Sequence, residues 1–195
     1  MKQPPRIVLA SRSPRRMEIL RREGVRFESI EAAVDDAATP PQGDPHEVAR
    51  VLAVAKARAV AAAHPDRCRD TFVVAADTIC HHQGESVGKA SDPAEAQAIL
   101  MRMMDGAHAV VTGVAVLRDG ALQSFVDEAT VRLERVSSAD MQRYIASGLW
   151  EGKAGAYDID ERRRAGWTVH CEGDPDTVGG LPCQRLLRLL EDWPA

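Results

Sequence analysis

The chain has 195 residues, enough for one domain with a substantial buried core. Apolar residues make up 45% and charged residues 28%, an ordinary globular balance. A net charge of −4 and a pI near 5.9 argue against a bulk electrostatic grip on nucleic acid or anionic membrane. Any anion site must therefore rest on a few placed cations. Cys68, Cys80, Cys171 and Cys183 show no CxxC spacing and no leader precedes them, so they read as reduced thiols. No apolar run approaches a membrane span. The expectation is a soluble, cytoplasmic protein.

In chain order, Ile7 to Ala10 predict a buried strand that runs straight into a helix. Ser13 is a good N-cap, and Pro14 suits the first helical position. Arg15 and Arg16 then fall in the first turn, where the helix dipole is already positive and acids are preferred. Two cations there, with free helix N–H groups and Ser11 in the turn, form a phosphate site unless they are solvated surface residues. Gly24 predicts the helix end, Val25 to Ile30 a short strand, and Ala37 to Pro45 a loop. Asp44-Pro45-His46-Glu47 starts the next helix, with an apolar stripe of Val48, Val51, Leu52, Ala55 and Ala59.

Phe72 to Ala76 predict a second buried strand, and Asp92-Pro93-Ala94-Glu95 another capped helix reaching Met103. Ala109 to Leu117 and Ala121 to Val126 read as a hairpin around Arg118-Asp119-Gly120, and Thr130 to Val136 as a half-exposed strand. Ser138-Ala139-Asp140 caps a helix that Gly148 ends, and Cys183 to Glu191 form the last helix. The fold class is α/β, a mixed sheet flanked by helices, in one domain spanning 1–195.

Asp77 follows five apolar residues, so it should lie at the exposed C-terminal end of a strand, where open α/β sheets bind ligands. A carboxylate there holds Mg²⁺ or accepts a proton from water, although a turn aspartate also fits. Lys56, at the edge of an apolar stripe, either snorkels or meets phosphate, and Lys89 is either a solvated loop lysine or a second phosphate contact. Asp35-Asp36 is a turn or part of a metal site with Asp77. Lys153-Ala154-Gly155-Ala156-Tyr157 has small residues that let a ligand approach the backbone. Cys80-His81-His82 is a poor metal set, because adjacent strand residues point to opposite faces. His108, with no Ser or Cys nucleophile block beside it, reads as a hydrogen-bonded core or turn histidine. Neither a P-loop nor a G-x-G-x-x-G occurs.

Leu-Ala-Ser-x-Ser-Pro-Arg-Arg at residues 9–16 resembles the opening signature of the Maf family of nucleoside triphosphate pyrophosphatases. Ala76-Asp77-Thr78, Gly88-Lys89, His108 through Gly113, Lys153 through Tyr157 and Gly180-Leu181-Pro182 continue the resemblance in order. It implies an elongated, inosine triphosphate pyrophosphatase-like sheet with a cleft between two lobes. It also implies a homodimer that hydrolyses nucleoside triphosphates to monophosphate and pyrophosphate with Mg²⁺ or Mn²⁺. On this resemblance Asp77 is the proton acceptor and a metal ligand with Asp36, and Thr78 discriminates substrates. Ser11, Arg15, Arg16, Lys56 and Lys89 would surround the phosphates, while Lys153 and Asp160 line the base pocket.

Two departures stand out. Asp36 replaces the family's usual Glu, and Asp160 replaces a Gln that helps read the base, exchanging a donor–acceptor amide for an acceptor-only carboxylate. Arg162 to Arg164 then form a basic run, read as a solvated loop rather than a nucleic-acid patch. Ser-Pro-Arg-Arg and Lys-Ala-Gly-Ala-Tyr resemble the branch that prefers dTTP and UTP, whereas Asp174-Pro175-Asp176-Thr177 resembles the branch that takes 7-methyl-GTP. The first is favoured. A non-catalytic regulator of septum formation and a nucleic-acid-binding module are the rivals from other classes.

Overall fold

The computed structural model describes residues 6–34 and 43–194. Strand β1 (Ile7–Leu9) leads into helix α1 (Pro14–Arg22), and β2 (Phe27–Ser29) precedes α2 (Pro45–Ala63) and α3 (Pro65–Cys68). The long β3 (Phe72–His82) is followed by β4 (Glu85–Val87), α4 (Pro93–Met103), and the paired β5 (Ala107–Arg118) and β6 (Ala121–Leu133). Then come α5 (Ser138–Ala146), α6 (Ile159–Arg164), β7 (Val169–Glu172), α7 (Pro175–Val178) and α8 (Cys183–Glu191). The sheet runs β2-β1-β3-β5-β6-β7, with β4 also on β3. The β2, β1 and β3 pairings are parallel and the others antiparallel, so the expected mixed sheet flanked by helices is present.

Local chemistry explains the helix starts. Ser13 Oγ accepts from the Arg16 N–H, and Asp92 Oδ1 accepts from Glu95 N–H at 2.8 Å, as their positions predict. Helix α5 is capped one residue earlier than expected, by Ser137. Gly24, at φ 69°, ends α1 in the left-handed region that glycine enters without steric cost.

Three expectations are corrected. The expected strand Phe72 to Ala76 does not stop before Asp77, because β3 stays paired to β5 as far as His81. The expected second hairpin arm and the first part of the expected strand Thr130 to Val136 are one continuous β6, which ends at Leu133. The buried face of α2 is Ala49, Ala53, Lys56, Ala57 and Val60, not the stripe of larger residues, and Val51 is 48% exposed. Small residues win that face because the helix lies directly on the sheet.

The position of the site follows from β3. One of its edges pairs with β5 from Val73 to His81, but the other pairs with β1 only at Phe72–Val74 and with β4 only at Cys80–His82. Between them, among the described residues, no strand covers residues 75–79. That opening carries Asp77 and Thr78.

Candidate active site

Asp77 and Thr78 are neighbours on a strand, so their side chains leave opposite faces of the sheet. Asp77 faces α2, where Lys56 Nζ donates to its Oδ1 at 2.6 Å. The lysine is buried, not snorkelled, and the carboxylate beside it is 9% exposed. Breaking such a pair by removing one partner is costly, since the other charge is left buried. The approach of α2 is set across the strand pair, where Asp77 lies opposite Gly113 of β5. A Cβ on Gly113 would lie 2.4 Å from the backbone carbonyl of Ala49. Only glycine lets the helix come close enough to bring Lys56 onto Asp77.

Thr78 faces α1. Arg16 Nη2 donates to its hydroxyl at 3.1 Å, Arg16 Nη1 donates to Ser11 Oγ at 3.2 Å, and Arg16 Nε donates to the Gly180 carbonyl at 2.8 Å. Gly180 has φ 90°, and a Cβ there would press on both Thr78 Oγ1 and Arg16 Nε. Behind Thr78, its hydroxyl lies 3.0 Å from that of Thr112 on β5. Thr112 in turn donates to the Thr177 carbonyl at 2.8 Å. Thr177 Oγ1 donates to Asp127 Oδ2 at 2.5 Å. This row of threonines, buried at Thr112 and Thr177, has no local sequence signal beyond alternation.

Arg15 is placed differently from Arg16. Its Nη2 meets Asp160, its Nη1 donates to Glu18 Oε2 at 3.1 Å, and its Nε lies 3.6 Å from Asp158 Oδ2. Burial pulls against the charge, but Asp158 and Asp160 outweigh it and hold the guanidinium above its ordinary pKa. Arg12 points away, 2.5 Å from Glu31 on the surface.

The remaining predicted residues gather at the far end of the opening. Lys89 is exposed, and its backbone bridges Ala154, with Gly155 N–H donating to the Gly88 carbonyl at 3.2 Å. Lys153 Nζ donates to Glu161 Oε2 at 2.5 Å. Asp160 stands in the first turn of α6, capped by Asp158. The expected loop of arginines is thus a helix, and a physical reason is visible. Arg162 is buried, its guanidinium 3.9 Å from the Tyr144 ring and 5.1 Å from the Trp167 ring.

His108 is buried as expected, with Nε2 2.6 Å from the Tyr157 hydroxyl. Burial first, then His82, pushes its pKa down to about 4, so it is neutral in the physiological range. Asp35 and Asp36 lie outside the described residues. Asp174 and Asp176 have structural positions: the first caps α7, and the second accepts from Arg22 Nη2 at 2.5 Å.

The model of the Maf family, described as Maf-like protein, matches residues 6–193. A dTTP/UTP pyrophosphatase of Salinibacter ruber is 39% identical over 186 residues, covering 94% of this chain and 89% of the relative. One from Symbiobacterium thermophilum is 38% identical, covering 96% and 93%. Among solved structures, the Staphylococcus aureus Ham1 protein covers 66% of this chain and 71% of its own at a TM-score of 0.44 and 18% identity. A family match across nearly the whole sequence, with relatives this similar end to end, establishes that the chain belongs to the Maf family.

Proposed function

We propose that the chain hydrolyses nucleoside triphosphates between the α- and β-phosphates, releasing the monophosphate and pyrophosphate, with a preference for dTTP, UTP and modified pyrimidines. The observation that carries this reading is the Lys56–Asp77 pair set into the uncovered stretch of β3, one residue from the Arg16–Thr78 contact. The name borne by the similar proteins, dTTP/UTP pyrophosphatase, supports the substrate and favours it over 7-methyl-GTP.

Within this reading, Asp77 accepts the proton of the attacking water on its second carboxylate oxygen. Lys56, holding the first, fixes the orientation of the carboxylate. Arg16 and Lys89 neutralise phosphate charge, and the turn at Ser11 orients the phosphate chain. Catalysis is then positioning and charge stabilisation, with no protein nucleophile. Cations of the Mg²⁺ or Mn²⁺ type are held by one or two carboxylates together with substrate phosphates rather than by a cage of protein ligands. Asp77 suits that role, while among the described residues no group of three or more His, Cys, Asp or Glu is placed to hold a metal unaided. Bound there, the cation would offset charge developing on the phosphate oxygens.

The same reading places the enzyme in the cytoplasm as a homodimer. No helix among the described residues is long and apolar enough to cross a membrane. Two arginines of the 162–164 run are engaged inward or along their own helix, Arg162 on aromatic rings and Arg164 Nε on the Asp160 carbonyl at 3.2 Å, which speaks against a nucleic-acid patch. The test is pyrophosphate release from a nucleotide panel with Mg²⁺ or Mn²⁺. Release from dTTP and UTP above purine nucleotides is expected. No release from any nucleotide overturns the reading in favour of a non-catalytic septum regulator.

A further inference from the structure

Helix α6 brings three acids to its first turn and cap, and they take up two cations of the opening. Asp158 and Asp160 face Arg15, and Glu161 accepts from Lys153 Nζ at 2.5 Å. Arg15 is bracketed on all sides, because Glu18 of its own helix accepts from Nη1 at 3.1 Å. Its buried Nε makes no hydrogen bond, since Asp158 at 3.6 Å lies beyond that range. A guanidinium fork with one unmet donor, turned toward carboxylates, is poised between an internal anion and an external one.

We propose that Asp160 is a specificity-determining residue that acts through Arg15: its carboxylate occupies the guanidinium, and an anionic ligand reaches Arg15 only by displacing it. This rests on the pyrophosphatase reading for its biological meaning. A free polyphosphate must then compete with Asp160 without help, whereas a nucleotide brings base contacts that offset the competition. The chain thereby favours whole nucleotide over released pyrophosphate, and product leaves readily.

The test uses the full chain and inorganic tripolyphosphate and pyrophosphate, with binding read by calorimetry and no turnover. Wild type, Asp160→Asn, Arg15→Ala and the double variant are compared, and Asp160→Gln replaces the asparagine if that variant does not fold. Tripolyphosphate should bind Asp160→Asn at least tenfold more tightly than wild type, and the gain should fall below twofold in the Arg15→Ala background. No binding by Asp160→Asn, a gain under twofold, or an equal gain with and without Arg15 overturns the proposal; the last would make Asp160 a bulk charge. An Arg15-dependent gain in Asp160→Asn, together with no pyrophosphate release by wild type from any nucleotide, would leave the contact standing and sink the pyrophosphatase reading instead.

Discussion

Where α2 crosses the sheet, the contact is made by Ala49, Ala53 and Ala57 against Ala75, Ala115 and Gly113. At the other end, Tyr144 of α5 covers it together with Trp150, Tyr157 and Trp167 from the segments before and after α6. The small-residue contact brings two backbones together and leaves no room for one more carbon. The aromatic contact fills a wider gap and fixes position through polar tips. Tyr144 Oη donates to the Ala156 carbonyl at 2.9 Å, holding a non-glycine residue at φ 61°. Both ends therefore constrain residues beside the opening, the first by close approach and the second by hydrogen bonds. Sites built on close approach should fail abruptly when altered, and those built on polar tips by degrees.

The largest expected effect tests what the close contact delivers. Asp77→Asn keeps shape but removes the proton acceptor and leaves the buried Lys56 charge without its counter-ion. The melting temperature should therefore drop, and turnover per folded molecule in the pyrophosphate-release assay should fall about 10²–10⁴-fold with nucleotide binding retained. A folded variant with more than a tenth of wild-type turnover would dismiss Asp77 as the base.

The aromatic end carries a pH signature. His108 stays neutral in the fold down to about pH 4, whereas the unfolded chain protonates it already below its ordinary value near 6.5. The unfolded state thus binds more protons in that window, and the stability His108 contributes above pH 6.5 is lost as the pH falls toward 4. The loss is on the order of 3 kcal/mol. Denaturant melts of wild type and His108→Gln across that range should diverge in slope, and parallel slopes would contradict the burial argument.

Next comes Gly113→Ala. Its new carbon meets backbone, not a yielding side chain, so α2 must lift and Lys56 must draw away from Asp77. Overpacking of this kind costs about 1–3 kcal/mol, and turnover should fall along with the melting temperature. An active, equally stable variant would show that the approach of α2 is not what places the pair. The smallest effect is Tyr144→Phe, which removes one hydrogen bond worth about 0.5–1.5 kcal/mol. KM should rise more than kcat falls if the loop that holds Ala156 lies against the base, as the family resemblance implies; a change in kcat alone would break the contrast between the ends.

Much of the fold was legible because its signals are local. The cap at Ser13, the Asp92–Glu95 pair and the glycine after α1 each state their structure within four residues. The misread parts depend on partners far along the chain. Asp77 resembles a strand end, because a carboxylate in mid-strand is tolerable only with a buried cation, and Lys56 lies 21 residues away. The stripe on α2 was misplaced because apolar periodicity rewards large residues, whereas proximity selected alanine. Residues 162–164 look like a solvated run until Asp158 caps the helix that carries them and Arg162 finds two rings. Among the site residues, the arginine corner at α1 was visible in sequence, but the division of labour between Arg15 and Arg16 was not. That division is set by α6 and by the turn at Gly180.

The threonine row behind the opening also obeys a count of hydrogens. A hydroxyl has one, and Thr112 gives its own to the Thr177 carbonyl. The contact between Thr112 and Thr78 must therefore use the hydrogen of Thr78, while Arg16 donates to the same Thr78 oxygen. Thr78 consequently turns only a lone pair toward the opening. A group that settles against it has to bring a hydrogen of its own, as an imide N–H or a sugar hydroxyl does. On the proposed reading a bare phosphate oxygen would find no donor on Thr78, so the row would favour a base or sugar against it over a phosphate.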